Sequence, residues 1–230
     1  MFEIIICIIA GLGAGFGTGF AGMSAAAVIS PLLITFLHMD PYLAVGIALA
    51  SDVLASAASA ITYGKNKNLD IKNGIIMMIS VLCFTMAGSY IASIVPKTTM
   101  GNFSVFMTRL LGIKFIVKPV TEPKQRLLAA TAKQKAIRSV ACGAAVGFIC
   151  GFVGAGGGMM MLLVLTSVLG YELKTAVGTS VFIMSATALT GSVSHFVIGG
   201  MPDIKALVIC VVSTLVFAPV SYTHLTLPTT

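Results

Sequence analysis

The chain has 230 residues, of which 57% are hydrophobic and 9% are charged, and its formal net charge at pH 7 is +7. About 25% charged residues are usual in a soluble domain, and a water-soluble core of this size could not bury so much apolar surface, so lipid must solvate the chain. The basic residues lie between apolar stretches, as membrane topology requires, and we therefore expect no nucleic-acid partner.

The first apolar stretch, Ile4–Leu37, is too long for one membrane span and too short for two spans with a turn. It contains the glycine-rich segment Gly15–Gly22. Each glycine costs a helix interior about 1 kcal/mol, so several together favour a break. We predict a broken helical hairpin, which is tolerated at membrane depth only where protein or a watery cavity surrounds the unpaired backbone.

Ordinary transmembrane helices are predicted next, over Pro41–Tyr63 and Gly74–Val95, followed by a short span over Asn102–Val117. The loops Gly64–Asn73 and Lys118–Arg138 are both rich in basic residues. Because two spans separate these loops, they lie on one face of the membrane, and their charge predicts that this face is cytoplasmic.

The second half of the chain repeats the first after a shift of 132 positions, which superimposes Gly15-Phe16 on Gly147-Phe148 and Ala44-Val45-Gly46 on Ala176-Val177-Gly178. A second broken stretch is therefore predicted over Ile137–Leu169, followed by spans over Leu173–Ile198 and Ile204–Val220. If each broken stretch returns to the face it came from, the repeats are inverted, and if each crosses once, the repeats are parallel. The loop Gly199–Asp203 has no lysine, which favours an external position and hence inverted repeats. The predicted fold is an all-α membrane protein, a polytopic helical bundle of two inverted repeats that each open with a glycine-broken hairpin.

The predicted domains are a first repeat over residues 1–117, a basic cytoplasmic loop over 118–136, a second repeat over 137–220, and a tail over 221–230. The tail, SYTHLTLPTT, interrupts an apolar run and resembles translated adapter sequence, so we expect it to be non-native. On that interpretation the second repeat is incomplete.

The two glycine breaks are the leading candidates for a binding site. Paired broken segments in two halves point to the site of a secondary transporter, and the half-helix after each break directs N–H groups and a positive dipole end at an anion. The alternative is that four-residue glycine spacings serve close helix packing. The candidate substrate-binding residues are Gly19, Gly22, Ser24, Ser51, Asp52, Gly154, Gly156, Gly157, Gly158, Thr179 and Ser180.

Asp52 is the most informative single residue, because a carboxylate in the middle of a span is costly and suggests a role. It is expected to couple transport to protons, to pair with Arg109, or to bond structurally to the amides of a break. Its repeat counterpart is Met184. His195 is expected to be an interfacial side chain near a helix end. Hydroxyl groups such as those of Ser51, Thr179 and Ser180 coordinate an oxyanion or bond between helices.

The sequence has no nucleophile–base grouping, no phosphate-binding loop and no metal-ligand spacing, which argues against an enzyme. The five cysteines lie in apolar stretches without CxxC spacing and are expected to be buried. We expect no cofactor and no metal site.

The opening glycine-rich segment, the central basic loop, the repeated GFxxGFxGAGGG pattern and the following AVGTS resemble the TauE/SafE family of membrane permeases. The resemblance covers Phe2–Pro219, and its most specific parts are Gly151–Gly158 and Ala176–Ser180. It implies an inner-membrane permease of duplicated architecture, with members assigned to export of sulfite or sulfur-containing organic anions. The chain departs from the pattern at Gly22-Met23-Ser24, where the second repeat has GAGGG, and C-terminal helices are expected to be missing.

We therefore expect a multi-pass permease of the cytoplasmic membrane for a small anion, by resemblance sulfite or an organosulfur anion. The alternative is a membrane-embedded scaffold or receptor subunit without transport activity. The expected partners are the anionic substrate and the lipid bilayer, and a homo-oligomer is left open.

Overall fold

The structure is a computed structural model that describes residues 2–96, 132–153 and 157–226, together with scattered positions between 98 and 117. Half of the predicted span Asn102–Val117, residues 118–131 of the basic loop, and residues 154–156 lie outside the described residues. The two glycines Gly154 and Gly156 of the candidate site are among those outside.

The described residues form eight α-helices and no strand, which confirms the all-helical membrane fold. Four of the helices, α1, α3, α4 and α7, are long and apolar enough to cross a membrane. The helices are α1 Phe2–Ala21, α2 Ala26–Leu37, α3 Pro41–Lys65, α4 Ile71–Ile94, α5 Ala132–Val153, α6 Gly157–Ser167, α7 Leu173–Gly199 and α8 Ile204–Thr226. Helix α8 continues past Val220 into the predicted tail, and the origin of that tail stays a prediction.

Aspartates begin three of the helices by accepting hydrogen bonds from free N–H groups of the first turn. Asp40 accepts from the Tyr42 N–H at 2.9 Å, and Pro41 occupies the first helical position. Asp70 accepts from the Asn73 N–H at 3.1 Å, and Asp203 accepts from the Lys205 N–H at 2.8 Å. A shift of 133 positions, one more than the shift that superimposes the glycines, pairs Asp70-Ile71-Lys72 with Asp203-Ile204-Lys205. These two aspartates start the matching helices α4 and α8.

Contacts between helices fix their relative directions. Helices α4 and α5 run parallel, since Gly143 packs on Met77 and Gly151 packs on Thr85. Helices α3 and α7 run antiparallel, since Gly46 packs on His195.

A third set of contacts places the first helix. The starts of α1, α3 and α8 meet around one cavity, where Glu3, Leu43 and Asp203 lie together. Helix α1 therefore runs parallel to α3. Because α4 returns in the opposite direction after α3 and α5 runs parallel to α4, α1 runs antiparallel to α5. These directions are the ones expected for inverted repeats, and the symmetry itself stays a prediction.

Glycines in the long helices serve close packing rather than breaking the helix. Gly147 and Gly151 place α5 against the backbone of Val81 and Thr85 in α4, and Gly15 places α1 against Thr214 in α8. Helix α1 is unbroken through Gly15 and Gly19, so the glycine-rich segment Gly15–Gly22 is itself helical almost to its end. The packing alternative is therefore correct for these glycines, and the chain leaves the helix only at Gly22.

Large apolar side chains remain exposed along the helices, as expected where lipid is the solvent. Ile61, Ile79 and Val208 are each more than half exposed. Among the eight described helices, Asp52 is the single Asp, Glu, Lys or Arg that lies outside the first two turns and the last turn.

Candidate functional site

The first break is a four-residue interruption, Gly22–Ala25, between α1 and α2. Gly22 has a φ of 61°, a left-handed conformation that costs a residue without a Cβ little. Its N–H donates to the Thr18 carbonyl at 3.1 Å, which closes the end of α1. The Ser24 hydroxyl oxygen then accepts from the Ala26 N–H at 3.3 Å and so caps the start of α2.

The start of α6 packs directly on this break. A Cβ built on Gly158 would lie against the Gly22 carbonyl oxygen, 2.6 Å from the Ser24 backbone nitrogen and 2.5 Å from the Met184 sulfur. No side chain fits there without moving backbone atoms. The first turns of the half-helices α2 and α6 therefore meet, so the structure brings the two predicted breaks to one place.

Helix α7 covers the same place from a third side. A Cβ built on Gly22 would lie 2.9 Å from the Ser180 hydroxyl oxygen. That hydroxyl donates to the Val177 carbonyl at 2.8 Å. Both side chains of the AVGTS segment that were predicted to bind substrate are fully buried, but only Ser180 contacts a break.

Asp52 lies in α3 with its carboxyl group at the first break. It is 1% exposed, and its Oδ2 accepts a hydrogen bond from the Ser24 hydroxyl at 2.8 Å. The Ala25 N–H at the start of α2 also faces the carboxyl group, whereas the nearby Thr18 hydroxyl gives its proton to the Ala14 carbonyl. Among the described residues, no hydrogen-bond partner reaches Oδ1.

The expected pairing of Asp52 with Arg109 is not formed. The Arg109 side chain is exposed, whereas Asp52 is buried against Ser24. Of the three roles expected for Asp52, the structure shows the hydrogen bond to the first break. The bond comes from the Ser24 hydroxyl, and the Ala25 N–H also faces the carboxyl group.

We call Gly22, Ser24, Asp52, Gly158 and Ser180 the break cluster. The other predicted site residues lie around it or away from it. Gly157 is next to Cys150, Gly19 is inside α1, and the Ser51 hydroxyl donates to the Ile47 carbonyl of its own helix at 2.9 Å. Thr179 accepts from the Asp70 N–H at 3.1 Å and so belongs to the start of α4.

His195 is buried rather than interfacial, which corrects the prediction for this residue. Its Nδ1 lies 3.0 Å from the Tyr42 carbonyl oxygen, and its Nε2 lies 3.0 Å from the Gly151 carbonyl oxygen. The imidazole therefore joins α7 to α3 and α5, and its ring packs on the Tyr42 ring with centroids 4.1 Å apart. Its position near a helix end did not reveal this burial, because the end of α7 is covered by α3.

At the end of the bundle where α4 begins, Asp70 joins the two halves. Its Oδ2 accepts from the Tyr171 hydroxyl at 2.7 Å and from the Asn73 side chain at 2.7 Å. Burial raises the pKa of Asp70, but the hydrogen bonds from Asn73, Tyr171 and the backbone of Asn73 and Lys72 outweigh it and hold the pKa below its usual range. Burial, followed by the bond to Asp70 and its charge, raises the pKa of Tyr171.

The opposite end of the bundle is the one where α1, α3 and α8 begin. A cavity of about 400 Å³ lies there between Glu3, Met39, Leu43 and Asp203. Met39 is the repeat counterpart of Tyr171, and a thioether cannot donate a hydrogen bond to Asp203. The end that we expect to be cytoplasmic is therefore held by a polar contact that its counterpart lacks.

The break cluster contains hydroxyls, backbone N–H groups and one carboxyl group, which together suit an anion and a proton rather than covalent chemistry. Within the described residues, no three His, Cys, Asp or Glu side chains are grouped so that they could hold a metal ion.

The chain is similar to proteins that are named as membrane transporters. "Probable membrane transporter protein YunE" of Bacillus subtilis is 28% identical over 225 residues, which cover 89% of this chain and 82% of that protein. "Probable membrane transporter protein YdhB" of the same organism is 23% identical over 197 residues, covering 86% and 80% of the two chains. A third relative, from Methanocaldococcus jannaschii and also named a probable membrane transporter protein, is 28% identical over 198 residues, covering 84% of this chain and 70% of the relative. No solved structure matches the chain.

The family model described as "Sulfite exporter TauE/SafE" matches residues 7–225. Its relatives are named as transporters and not as enzymes, and the apolar helices make this a multi-pass protein of the cell membrane. Because the match spans nearly the whole chain, the protein belongs to the TauE/SafE family of membrane transporters.

Proposed function

We propose that the protein is a permease that moves a small anion, sulfite or a sulfur-containing organic anion, by alternating access around the break cluster. The observation that carries the proposal is the meeting of the two half-helices α2 and α6, with Gly158 against Gly22 and Ser24. The sulfur chemistry rests on the family description, "Sulfite exporter TauE/SafE".

The electrostatics of the break cluster favour an anion. The N-terminus of a helix carries a positive partial charge of about half a unit, and two such ends lie side by side here. The basic residues of the neighbouring helices lie far from this point, at the helix ends, as Lys65, Lys174 and Lys205 do. Backbone N–H groups are thus the donors that would bind an oxyanion, joined by the hydroxyls of Ser24 and Ser180 when these turn away from their present acceptors, Asp52 and the Val177 carbonyl.

Separate packing units would allow the movement that transport requires. The buried apolar residues form two large clusters, one including Ile29 and Leu33 and the other including Met77 and Leu165, and each cluster combines residues of both repeats. The break cluster lies where elements of both halves meet. A scaffold or receptor subunit would gain packing from the glycines in α1 and α5 but would have no need for two helices broken at the same place.

The proposal is tested by anion flux in proteoliposomes that contain the purified protein. We expect saturable uptake of radiolabelled sulfite, with competition by methanesulfonate, and a loss of at least tenfold in Ser180→Ala. Ser185→Ala is the matched control, because Ser185 lies in the same helix and its hydroxyl likewise donates within the helix, to the Phe182 carbonyl at 2.8 Å. Uptake no faster than in protein-free liposomes, or an equal loss in both variants, would contradict the proposal.

A further inference from the structure

The carboxyl group of Asp52 lies where the positive ends of α2 and α6 meet. It contacts α2 directly through Ser24. It reaches α6 through two neighbours, because the Ser24 backbone packs on Gly158 and the sulfur of Cys150, which is within electrostatic range of Asp52, packs on Gly157. The side chain is 1% exposed, yet its Oδ1 has no partner among the described residues. A buried polar atom left without a partner is costly and asks for an explanation.

We propose that Asp52 binds the proton that accompanies the transported anion, so that proton and anion move together in equal numbers. This inference rests on the proposed function. When the anion enters, a hydronium ion on that side gives up a proton, so that its O–H bond breaks as an O–H bond forms at Oδ1, and when the anion leaves, the proton passes to a water molecule on the other side.

Charge balance explains why the two events are coupled. Each helix end contributes about half a positive charge, so ionised Asp52 neutralises both ends and itself takes the place of an anion. A second negative charge in this buried position would then be repelled and poorly solvated. Protonation of Oδ1 removes the competing charge and leaves about one positive charge for the substrate.

Among the described residues, no other group near Asp52 can replace it in this role. The titratable side chain that faces it from α5 is the Cys150 thiol. The charged residues on the helices packed around it are at the helix ends, as Glu3 in α1, Lys65 in α3 and Lys205 in α8 are. His195 in α7 has both ring nitrogens on backbone carbonyls. A metal cation would need several oxygen ligands. No three His, Cys, Asp or Glu side chains of the described residues are grouped so that they could supply them.

Proton binding is tested directly by infrared difference spectroscopy of the purified full chain without substrate. We expect a carboxylic acid C=O band that disappears as the pH is raised. The band should be absent in Asp52→Asn and retained in Asp70→Asn, the matched control at a helix start. Ser24→Ala, which keeps the carboxyl group but removes the hydrogen bond to Oδ2, should change the band frequency and so assigns the band even if Asp52→Asn does not fold. A band that is absent, or unchanged in Asp52→Asn or Ser24→Ala, would overturn the proposal.

Coupling is tested with methanesulfonate, a permanent anion that carries no proton of its own. In proteoliposomes, each unit of pH gradient should raise its accumulation by the wild-type protein about tenfold for one proton per anion, and Asp52→Asn should abolish this dependence. If the wild-type protein accumulates methanesulfonate to the same level at every pH gradient, the proposed coupling is wrong. If no labelled anion crosses at all, the proposed function fails, while the infrared titration still decides whether Asp52 binds a proton.

Discussion

Replacing Gly158 by alanine tests whether the contact between the two breaks holds the structure together. The added Cβ would press on the Gly22 carbonyl oxygen and lie 2.6 Å from the Ser24 backbone nitrogen. Both atoms belong to the backbone, so neither can move away by a side-chain rotation. Overpacking of this kind costs about 1–3 kcal/mol, and the better helix propensity of alanine returns about 1 kcal/mol of it. We expect a net loss of stability of up to about 2 kcal/mol.

The matched control is Gly64→Ala, because a Cβ built on Gly64 has no atom within 4 Å. This variant should be as stable as the wild-type protein or slightly more stable. Thermal denaturation in detergent gives the difference between the two variants, and anion flux in proteoliposomes shows whether separation of α2 and α6 also stops transport. Equal midpoints and equal flux for the two alanine variants would refute the close contact of the breaks.

Three further predictions concern the two ends of the bundle. A cysteine that replaces Lys67 should not react with an impermeant thiol reagent added outside intact cells. A cysteine that replaces Met201, which is 81% exposed at the opposite end of the bundle, should react, and the reverse result would invert the topology. Tyr171→Phe should lower the free energy of unfolding by about 1 kcal/mol through loss of the bond to Asp70, while Tyr90→Phe at an exposed position should change it little, and equal effects would deny the bond a role. Because the folded pKa of Asp70 is depressed, its contribution is present at neutral pH and is lost as the pH falls through that pKa, below about 4. Acid titration of stability should therefore flatten in Asp70→Asn, and an unchanged acid limb would contradict this reasoning.

The helices and the end of α1 could be predicted from the sequence, because both depend on local features: the length of each apolar stretch and the conformational freedom of glycine. Gly22 takes a left-handed conformation inside a stretch too long for one span, and α7 begins at Leu173 as predicted. The prediction was less accurate where tertiary packing decides the outcome. Gly15 remains helical because α8 packs closely on α1 and compensates for its low helix propensity.

The partners of the polar side chains could not be predicted from one sequence. The Ser24–Asp52 bond joins residues 28 positions apart, and the Tyr171–Asp70 bond joins residues 101 positions apart. The cost of a carboxylate at membrane depth indicated that Asp52 matters, but it did not reveal which helix end the side chain would meet. The burial of His195 between Tyr42 and Gly151 likewise depends on how α3, α5 and α7 pack together.

The most direct test is to locate a bound anion in a structure of the purified protein. Selenite, the selenium counterpart of sulfite, is suitable because its anomalous scattering identifies the atom. We predict a selenium peak at the break cluster, within hydrogen-bonding reach of Ser24 and of the first turns of α2 and α6. A peak only in the cavity beside Glu3 and Asp203, or no peak at concentrations that saturate sulfite flux, would contradict an anion site where the two broken helices meet.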